Sequence, residues 1–151
     1  MTNLTLERAT IADLDTVLRL LSEGGLPVAD LDRHIEAFTL AKSAGTIVGS
    51  VGLEVYGELG LLRSLCVAQA HRSQGIAGVL LTAITAHATA QGVRTLYLLT
   101  TGAAPYFANR GFAPVSRDDV PPEIRGTAQF SSLCPSTAVC MSKAIPQGTQ
   151  A

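Results

Sequence analysis

The sequence predicts an α/β fold of the α+β kind, a mixed sheet with helices packed on it, and three observations carry that reading. The apolar period is helical near the N-terminus, becomes strand-like from Leu40, and turns helical again after Gly75. The three strand-like runs are joined by turns too short for parallel crossovers, which makes them an antiparallel meander. After the meander, helical and strand-like stretches alternate, so the expected order is β-α-α-β-β-β-α-β-α-β-β. With 151 residues, the chain is long enough to bury one real core. One domain over residues 1–146 is expected, followed by a loose tail at 147–151.

Each element has its own signal. Leu4 to Ala9 alternates apolar and polar residues, as a half-buried strand does. Thr10 with Asp13 forms a capping-box-like start, Leu14, Val17, Leu18 and Leu21 follow at helical spacing, and Gly24-Gly25 stops the helix. Leu26-Pro27 is a turn, and Leu31, Ile35 and Phe38 line one face of a second short helix. Leu40 to Ala44, Thr46 to Val55 and Leu59 to Val67 are the meander strands, turning at Gly45 and Gly57. Ile76, Val79, Leu80, Ala83, Ile84 and His87 mark the long helix, ended by Gly92. Val93 to Thr100 is dense enough in apolar residues for a central strand covered on both faces. A short helix over Ala103 to Arg110 closes at Gly111. Ala113 to Arg117 and Thr137 to Lys143 are the last strands, with a short helix over Pro121 to Ala128 between them.

Composition narrows the function. A net charge of −1, with no basic run, argues against a nucleic-acid binder. The N-terminus has neither a basic region nor an apolar core of signal-peptide length, and no apolar stretch reaches membrane-spanning length. The expectation is a soluble cytoplasmic protein without a membrane partner. Charged residues make up only 15% of the chain, which suggests apolar surface covered in a homodimer. Cys66, Cys134 and Cys140 form no disulfide framework and no zinc-ligand spacing, so they read as buried thiols and no metal is expected. Nothing in the sequence brings the three sulfurs together.

The chemistry lies in Ser64-Leu65-Cys66-Val67-Ala68-Gln69-Ala70-His71-Arg72-Ser73-Gln74-Gly75-Ile76-Ala77-Gly78, a strand, a tight loop and a helix start. Gly75 lets the backbone approach a bulky ligand, and small Ala77 and Gly78 keep the helix N-terminus open. The first N–H groups of that helix lack intrahelical partners and sit at the positive end of its dipole. Such an end binds a pyrophosphate, and Arg72 adds a charge-assisted contact.

The segment Arg72 to Gly78 resembles the Arg/Gln-x-x-Gly-x-Gly/Ala motif of GNAT N-acetyltransferases, and the element order agrees over the whole chain. Ala104-Pro105-Tyr106-Phe107-Ala108-Asn109-Arg110-Gly111-Phe112 resembles that family's helix, Gly-Phe, strand signature. The resemblance implies a mostly antiparallel sheet with helices on both faces and a splayed parallel strand pair at its centre. It also implies acetyl-CoA as co-substrate, held where the strands ending near Val67 and Leu99 part. Two branches are similar in more detail. Tyr97-Leu98-Leu99-Thr100-Thr101, Phe107, Arg110-Gly111-Phe112 and Asp119-Val120-Pro121 look like the acetyltransferase domain of N-acetylglutamate synthases, which serve arginine biosynthesis. Leu62-Arg63-Ser64-Leu65, Arg117-Asp118-Asp119-Val120-Pro121 and Phe130-Ser131-Ser132-Leu133-Cys134-Pro135 look like the arsenic-resistance N-acetyltransferases, the ArsN branch. Both imply acetylation of the α-amine of an acidic amino acid or of its arsenical or phosphinic analogue. A non-catalytic acyl-CoA-binding module is the alternative from another functional class.

Roles follow from what acetyl transfer requires. The strand Leu65-Cys66-Val67 would grip the pantetheine arm through its backbone, with the Val67 N–H toward the thioester oxygen. Glu54 is the carboxylate chosen as base; it either faces a cleft or lies on the wet face of the sheet. Glu58, in a turn, is a weaker candidate. The family's acidic Tyr would stand four residues before Gly111, where this chain has Phe107, with Tyr106 one residue earlier. One residue rotates a helical side chain by about 100°, so Tyr106 is a candidate acid and a core aromatic alike. Phe107 is assigned to the cofactor by position. Arg63 is expected to meet either a substrate anion or a protein carboxylate, and Ser64 converges with it only across a β-bulge. Arg117 and Arg125 are lesser candidates.

Overall fold

In the computed structural model, which describes residues 4–133 and 137–146, apolar periodicity becomes a seven-stranded mixed sheet with five α-helices. The chain runs β1 (Leu4–Arg8), α1 (Leu14–Glu23), α2 (Leu31–His34), β2 (Phe38–Ser43), β3 (Thr46–Tyr56), β4 (Leu59–Val67) and α3 (Ile76–Ala90). It continues through β5 (Thr95–Thr100), α4 (Ala104–Ala108), β6 (Ala113–Pro114), α5 (Pro122–Arg125) and β7 (Val139–Ala144). The strand order is β1-β2-β3-β4-β5-β7-β6. The sheet is mostly antiparallel, with one parallel pair in which Leu59–Leu61 of β4 matches Thr95–Tyr97 of β5.

Local chemistry sets most boundaries. The Asp13 carboxylate accepts the Thr10 N–H at 2.9 Å, starting the Ile11–Asp13 turn that leads into α1. Three helices stop in the same way. Leu26 N donates to Leu21 O after α1, Val93 N to Ala88 O after α3, and Phe112 N to Phe107 O after α4. Each bond closes a Schellman turn through the glycine before the donor, and Gly25, Gly92 and Gly111 all have positive φ.

Four boundaries or faces differ from the sequence reading. Phe38 is not on the second helix: α2 is one turn long, and the chain is already extended at Phe38, which opens β2. β2 ends at Ser43 because Ala44 and Gly45 both take positive φ, the conformation of a tight hairpin turn. The strand expected over Ala113 to Arg117 shrinks to two residues. Pro114 has no N–H for a ladder, and Ser116 Oγ accepts the Asp118 N–H to begin a 3-10 turn at Arg117–Asp119. Val79, counted in the apolar stripe of α3, is 43% exposed; Ile76, Leu80, Leu81, Ile84 and Ala88 are the buried residues. The expected tail at 147–151 lies outside the described residues.

The chain forms two compact units, Met1–Glu54 with Arg63–Ala86, and Val55–Leu62 with His87–Ala151. In the first, Val17, Leu20 and Leu21 of α1 pack with Leu31, Ile35, Phe38, Leu40 and Cys66. Each fully buried Leu or Ile there contributes about 1.5–3 kcal/mol. In the second, Leu61 and Tyr97 pack with Val120, Ile124, Phe130 and Cys140.

Candidate functional site

Two arrangements in the first unit gather the residues singled out by sequence. One is the loop between β4 and α3. Ser73 and Gly75 both have positive φ, 66° and 79°, with Gln74 between them. This double reversal turns the chain from the end of β4 into the axis of α3. Gly75 O accepts the Val79 N–H at 3.1 Å, the first bond of the 15-residue helix, so the N–H groups of Ile76, Ala77 and Gly78 are the helix's open donors. A Cβ at Gly75 would meet nothing within 4 Å. The loop is therefore open above that residue, as close approach of a phosphate requires. Arg72, Ser73, Gln74 and Gly75 are exposed, while Ile76 is buried as the anchor. Arg72 Nε donates to Val67 O at 3.1 Å, which ties the loop to the end of β4 and holds the exposed guanidinium beside it. At the head of the same loop, His71 Nδ1 is shielded from solvent without a partner among the described residues.

The second arrangement is a buried ionic cluster. Arg63 has a fully enclosed side chain, and its Nη1 and Nη2 donate to Asp30 Oδ2 and Oδ1, each at 2.7 Å. Nη1 also donates to Glu54 Oε2 at 2.9 Å, and Nε to Ser64 Oγ at 3.2 Å. His34 Nε2 lies 3.6 Å from Asp30 Oδ2 and 3.8 Å from Glu54 Oε2. Of the two positions open to Glu54, the wet face of the sheet is excluded: it is 6% exposed. Of the two partners open to Arg63, the structure shows protein carboxylates. Its guanidinium is surrounded by the side chains of Asp30, Glu54 and Ser64.

Burial by itself would raise the Asp30 carboxyl; the Arg63 hydrogen bonds and charge, with His34, outweigh it and hold that carboxyl below the ordinary value. Arg63 shows the mirror image, with burial opposing its charge and the two carboxylates more than restoring it.

Arg63 Nε and Ser64 Oγ meet beside a local distortion of β4. Ser64 takes φ 59° within β4, which breaks the alternation of the strand. Ser50 Oγ donates to Ser64 O at 2.9 Å and fixes this left-handed residue. Gly52 leaves the space Arg63 needs: a Cβ there would stand 2.8 Å from the Phe38 ring and 3.1 Å from Arg63 Cγ. The Arg63 guanidinium lies 5.7 Å from the centroid of the Phe38 ring.

Cys66 points into the first core and its Sγ lies 3.7 Å from Leu20 O, whereas Leu65 and Val67 on either side are half-buried. Only the backbone at Cys66 is thus available for ligand binding. Burial pushes the Cys66 thiol up. Cys140 belongs to the second core, where burial raises its thiol to about 11. Both are packed as neutral thiols, and Cys134 lies outside the described residues.

In the second unit, Tyr106 and Phe107 sit on α4. Phe107 is buried, edge-on to both Tyr106 and Phe112 at 5.4 and 5.6 Å between centroids. The Tyr106 ring carries the Arg110 guanidinium at 5.0 Å, and its hydroxyl is shielded without a partner among the described residues. Glu58 is exposed and pairs with exposed Arg94 at 3.2 Å. Arg117 Nη2 donates to Ala138 O at 3.1 Å, and Arg125 is an exposed residue of α5. These three are surface or packing residues.

Sequence reasoning missed Asp30 and His34. Asp30 has the look of a helix N-cap, yet its side chain makes no capping bond and serves Arg63 instead. The spacing of four between Asp30 and His34, which puts both on one side of a helical turn, was the available signal.

Comparison with known proteins supplies a family. Residues 34–114 match the acetyltransferase (GNAT) domain. The chain is 36% identical over 126 residues to an amino-acid acetyltransferase of Ectopseudomonas mendocina, covering 78% of this chain and 29% of that protein. It is 33% identical over 125 residues to the amino-acid acetyltransferase of Escherichia coli, covering 77% and 28%. The chain thus spans less than a third of the length of these curated relatives. Among solved structures, an N-acetylglutamate synthase of Neisseria gonorrhoeae complexed with coenzyme A and N-acetyl-glutamate superposes with a TM-score of 0.84. That match has 22% identity and covers 97% of this chain and 36% of that one. A Mycobacterium tuberculosis protein solved with CoA gives a TM-score of 0.80 at 20% identity, covering 94% and 99%.

Proposed function

Because the chain belongs to the GNAT acetyltransferase family, we propose that it moves an acetyl group from acetyl-CoA to the α-amine of a small, acidic, amino-acid-like substrate. The observation that carries this reading is the loop geometry at Ser73–Gly75, where two left-handed residues open the N-terminus of a 15-residue helix.

Acetyl-CoA supplies the acyl group as a thioester. One N–C bond forms and one C–S bond breaks; the amine gives up a proton and the departing sulfur takes one. The N–H groups of Ile76, Ala77 and Gly78, with the exposed Arg72, Ser73 and Gln74, hold the pyrophosphate. The backbone of Leu65, Cys66 and Val67 grips the pantetheine arm, and the Val67 N–H stabilises charge on the thioester oxygen. Glu54 accepts the amine proton, directly or through one water, with Asp30 and Arg63 fixing its position. Ser64, half-buried with a left-handed backbone, contacts the acceptor. For the departing sulfur, Tyr106 is the candidate acid by its place in the sequence before Gly111, and its ring packs edge-on to Phe107.

Two substrates fit. The curated relatives are named amino-acid acetyltransferases, and likeness to an N-acetylglutamate synthase favours glutamate itself. The Leu62-Arg63-Ser64-Leu65 and Arg117 to Pro121 segments favour the arsenical or phosphinic analogue, and with it a role in arsenic resistance. Thiol release from acetyl-CoA would be followed with glutamate, phosphinothricin-like and arsenical amino acids, polyamines and peptides. Release with one acidic amino acid supports the reading and selects the substrate. Silence across the panel, with CoA still raising the melting temperature, favours a binding module. Silence without a thermal shift defeats the assignment of the Arg72 to Gly78 loop. Cytoplasmic residence and homodimerisation belong to the same proposal; light scattering of the purified chain tests the second.

A further inference from the structure

Asp30, His34, Glu54 and Arg63 all belong to the first unit, and one ligand atom from each of Asp30, His34 and Glu54 lies within 4.8 Å of the others. Two carboxylates and an imidazole at such distances have the composition of a divalent-cation site. The centre is taken, however. Arg63 Nη1 stands 2.7 Å from one carboxylate and 2.9 Å from the other, where a metal ion would meet a permanent positive charge. What the four groups can do is move a proton.

Charge and exposure make the case. Two carboxylates and one guanidinium leave one negative charge when the imidazole is neutral, and none when it is protonated. Buried net charge is unfavourable, so a proton entering the cluster neutralises it in passing and leaves through whichever member meets water. Arginine does not give up its proton. The Asp30 and Glu54 side chains are 2% and 5% exposed and that of Arg63 is 0%, while that of His34 is 29% exposed. His34 is therefore the member of the four that meets water, and imidazole is the side chain that ordinarily titrates in the neutral range. The charged groups against it are Asp30 from the turn before α2 and Glu54 from β3, both paired with Arg63 of β4; Asp32 and Arg33, on its own helix, are exposed.

We infer that His34 is the relay through which the buried Glu54 carboxylate returns its proton to solvent. The inference rests on the reading of Glu54 as the amine's proton acceptor. The balance is simple. The amine proton passes to a Glu54 carboxylate oxygen, then to His34 Nε2, and the imidazolium releases one proton to water. No electrons move. The 3.8 Å separation of Glu54 Oε2 and His34 Nε2 closes by a small side-chain shift or by one bridging water. Arg63 and Asp30 are positioning residues for this transfer.

The test uses the purified chain in two measurements. The first needs no substrate: the imidazole signals of the three histidines are titrated by NMR in wild type, Glu54→Gln and His34→Gln, the last assigning the His34 signal. Glu54→Gln should perturb the His34 ring signals through the 3.8 Å contact. His34 signals indifferent to Glu54→Gln overturn the relay. The second is thiol release from acetyl-CoA with whichever amine the panel above shows to be turned over, from pH 5.5 to 9.5. His34→Gln should lower kcat by about tenfold or more and change the acid limb of the profile, with KM for acetyl-CoA within about twofold, and free imidazole should restore part of the rate. An inactive Glu54→Gln beside a His34→Gln with wild-type kcat and profile refutes the relay while leaving Glu54 as base. An active Glu54→Gln refutes the parent reading of Glu54, and with it the relay.

Discussion

Replacing Arg63 by Met is the most severe single perturbation the structure suggests. Methionine keeps most of the length and apolar contact but removes the permanent cation that pairs with two carboxylates that are 2% and 5% exposed. Breaking a buried pair from one side costs about 3–5 kcal/mol, because it leaves uncompensated buried charge. In a chain of 151 residues this corresponds to a fall of about 6–20 °C in melting temperature. The pH dependence carries the diagnostic sign. In the wild type, the Asp30 carboxyl is held below its ordinary value, so its contribution is complete above about pH 4 and is lost as pH falls further. Without Arg63, burial is left to push that carboxyl up. Protonation then relieves the buried charge, and the gap between variant and wild type should narrow as pH falls from 7 toward 4. Urea unfolding followed by circular dichroism at several pH values measures both quantities. Adding Asp30→Asn and Glu54→Gln to Arg63→Met should recover much of the loss, since a neutral cluster has no charge to compensate. A loss below about 1 kcal/mol at pH 7, or a gap that does not change with pH, would refute this account.

Three further outcomes follow from the geometry. Gly52→Ala places a Cβ 2.8 Å from Phe38 and 3.1 Å from Arg63, so thermal unfolding should show a loss of about 1–3 kcal/mol. A neutral effect would mean that the Phe38 ring moves aside freely. Gly75→Val meets no neighbour but must hold φ 79°; a strain of about 1–2 kcal/mol and a fall of about tenfold or more in CoA affinity by calorimetry are expected. Unchanged affinity would separate the loop from CoA binding. Tyr106→Phe removes a shielded hydroxyl that has no partner, so stability should hold or rise slightly while kcat falls if the hydroxyl protonates the sulfur. An unchanged kcat would leave Tyr106 as a packing residue.

Much of the fold was legible because its causes are local. Gly25, Gly92 and Gly111 close their helices through bonds within five residues, and Thr10 with Asp13 starts one within three. The Arg72 to Gly78 segment stands between the predicted strand and helix because a positive-φ glycine and small helix-opening residues suffice to form that turn. The errors fell where local preference was weak. Pro114 shortened a strand that otherwise read well, and Phe38 continued a helical spacing although the backbone had already become extended. Val79 shows that a period read by eye rotates slightly from the face tertiary packing selects.

The amino-acid sequence alone determined the meander, the helix stops, the tight loop between β4 and α3 and the candidacy of Glu54, Arg63 and Ser64. Tertiary structure decided what those side chains do. Asp30 and Arg63 are 33 residues apart, Glu54 and Arg63 nine, and their meeting depends on the left-handed backbone at Ser64 and on space left by Gly52. Local periodicity cannot encode such a cluster, because the energy that forms it exists only after several strands and a helical turn have excluded water. A charged residue in the sequence carries only its charge; burial and partners, which are properties of the folded chain, assign the role.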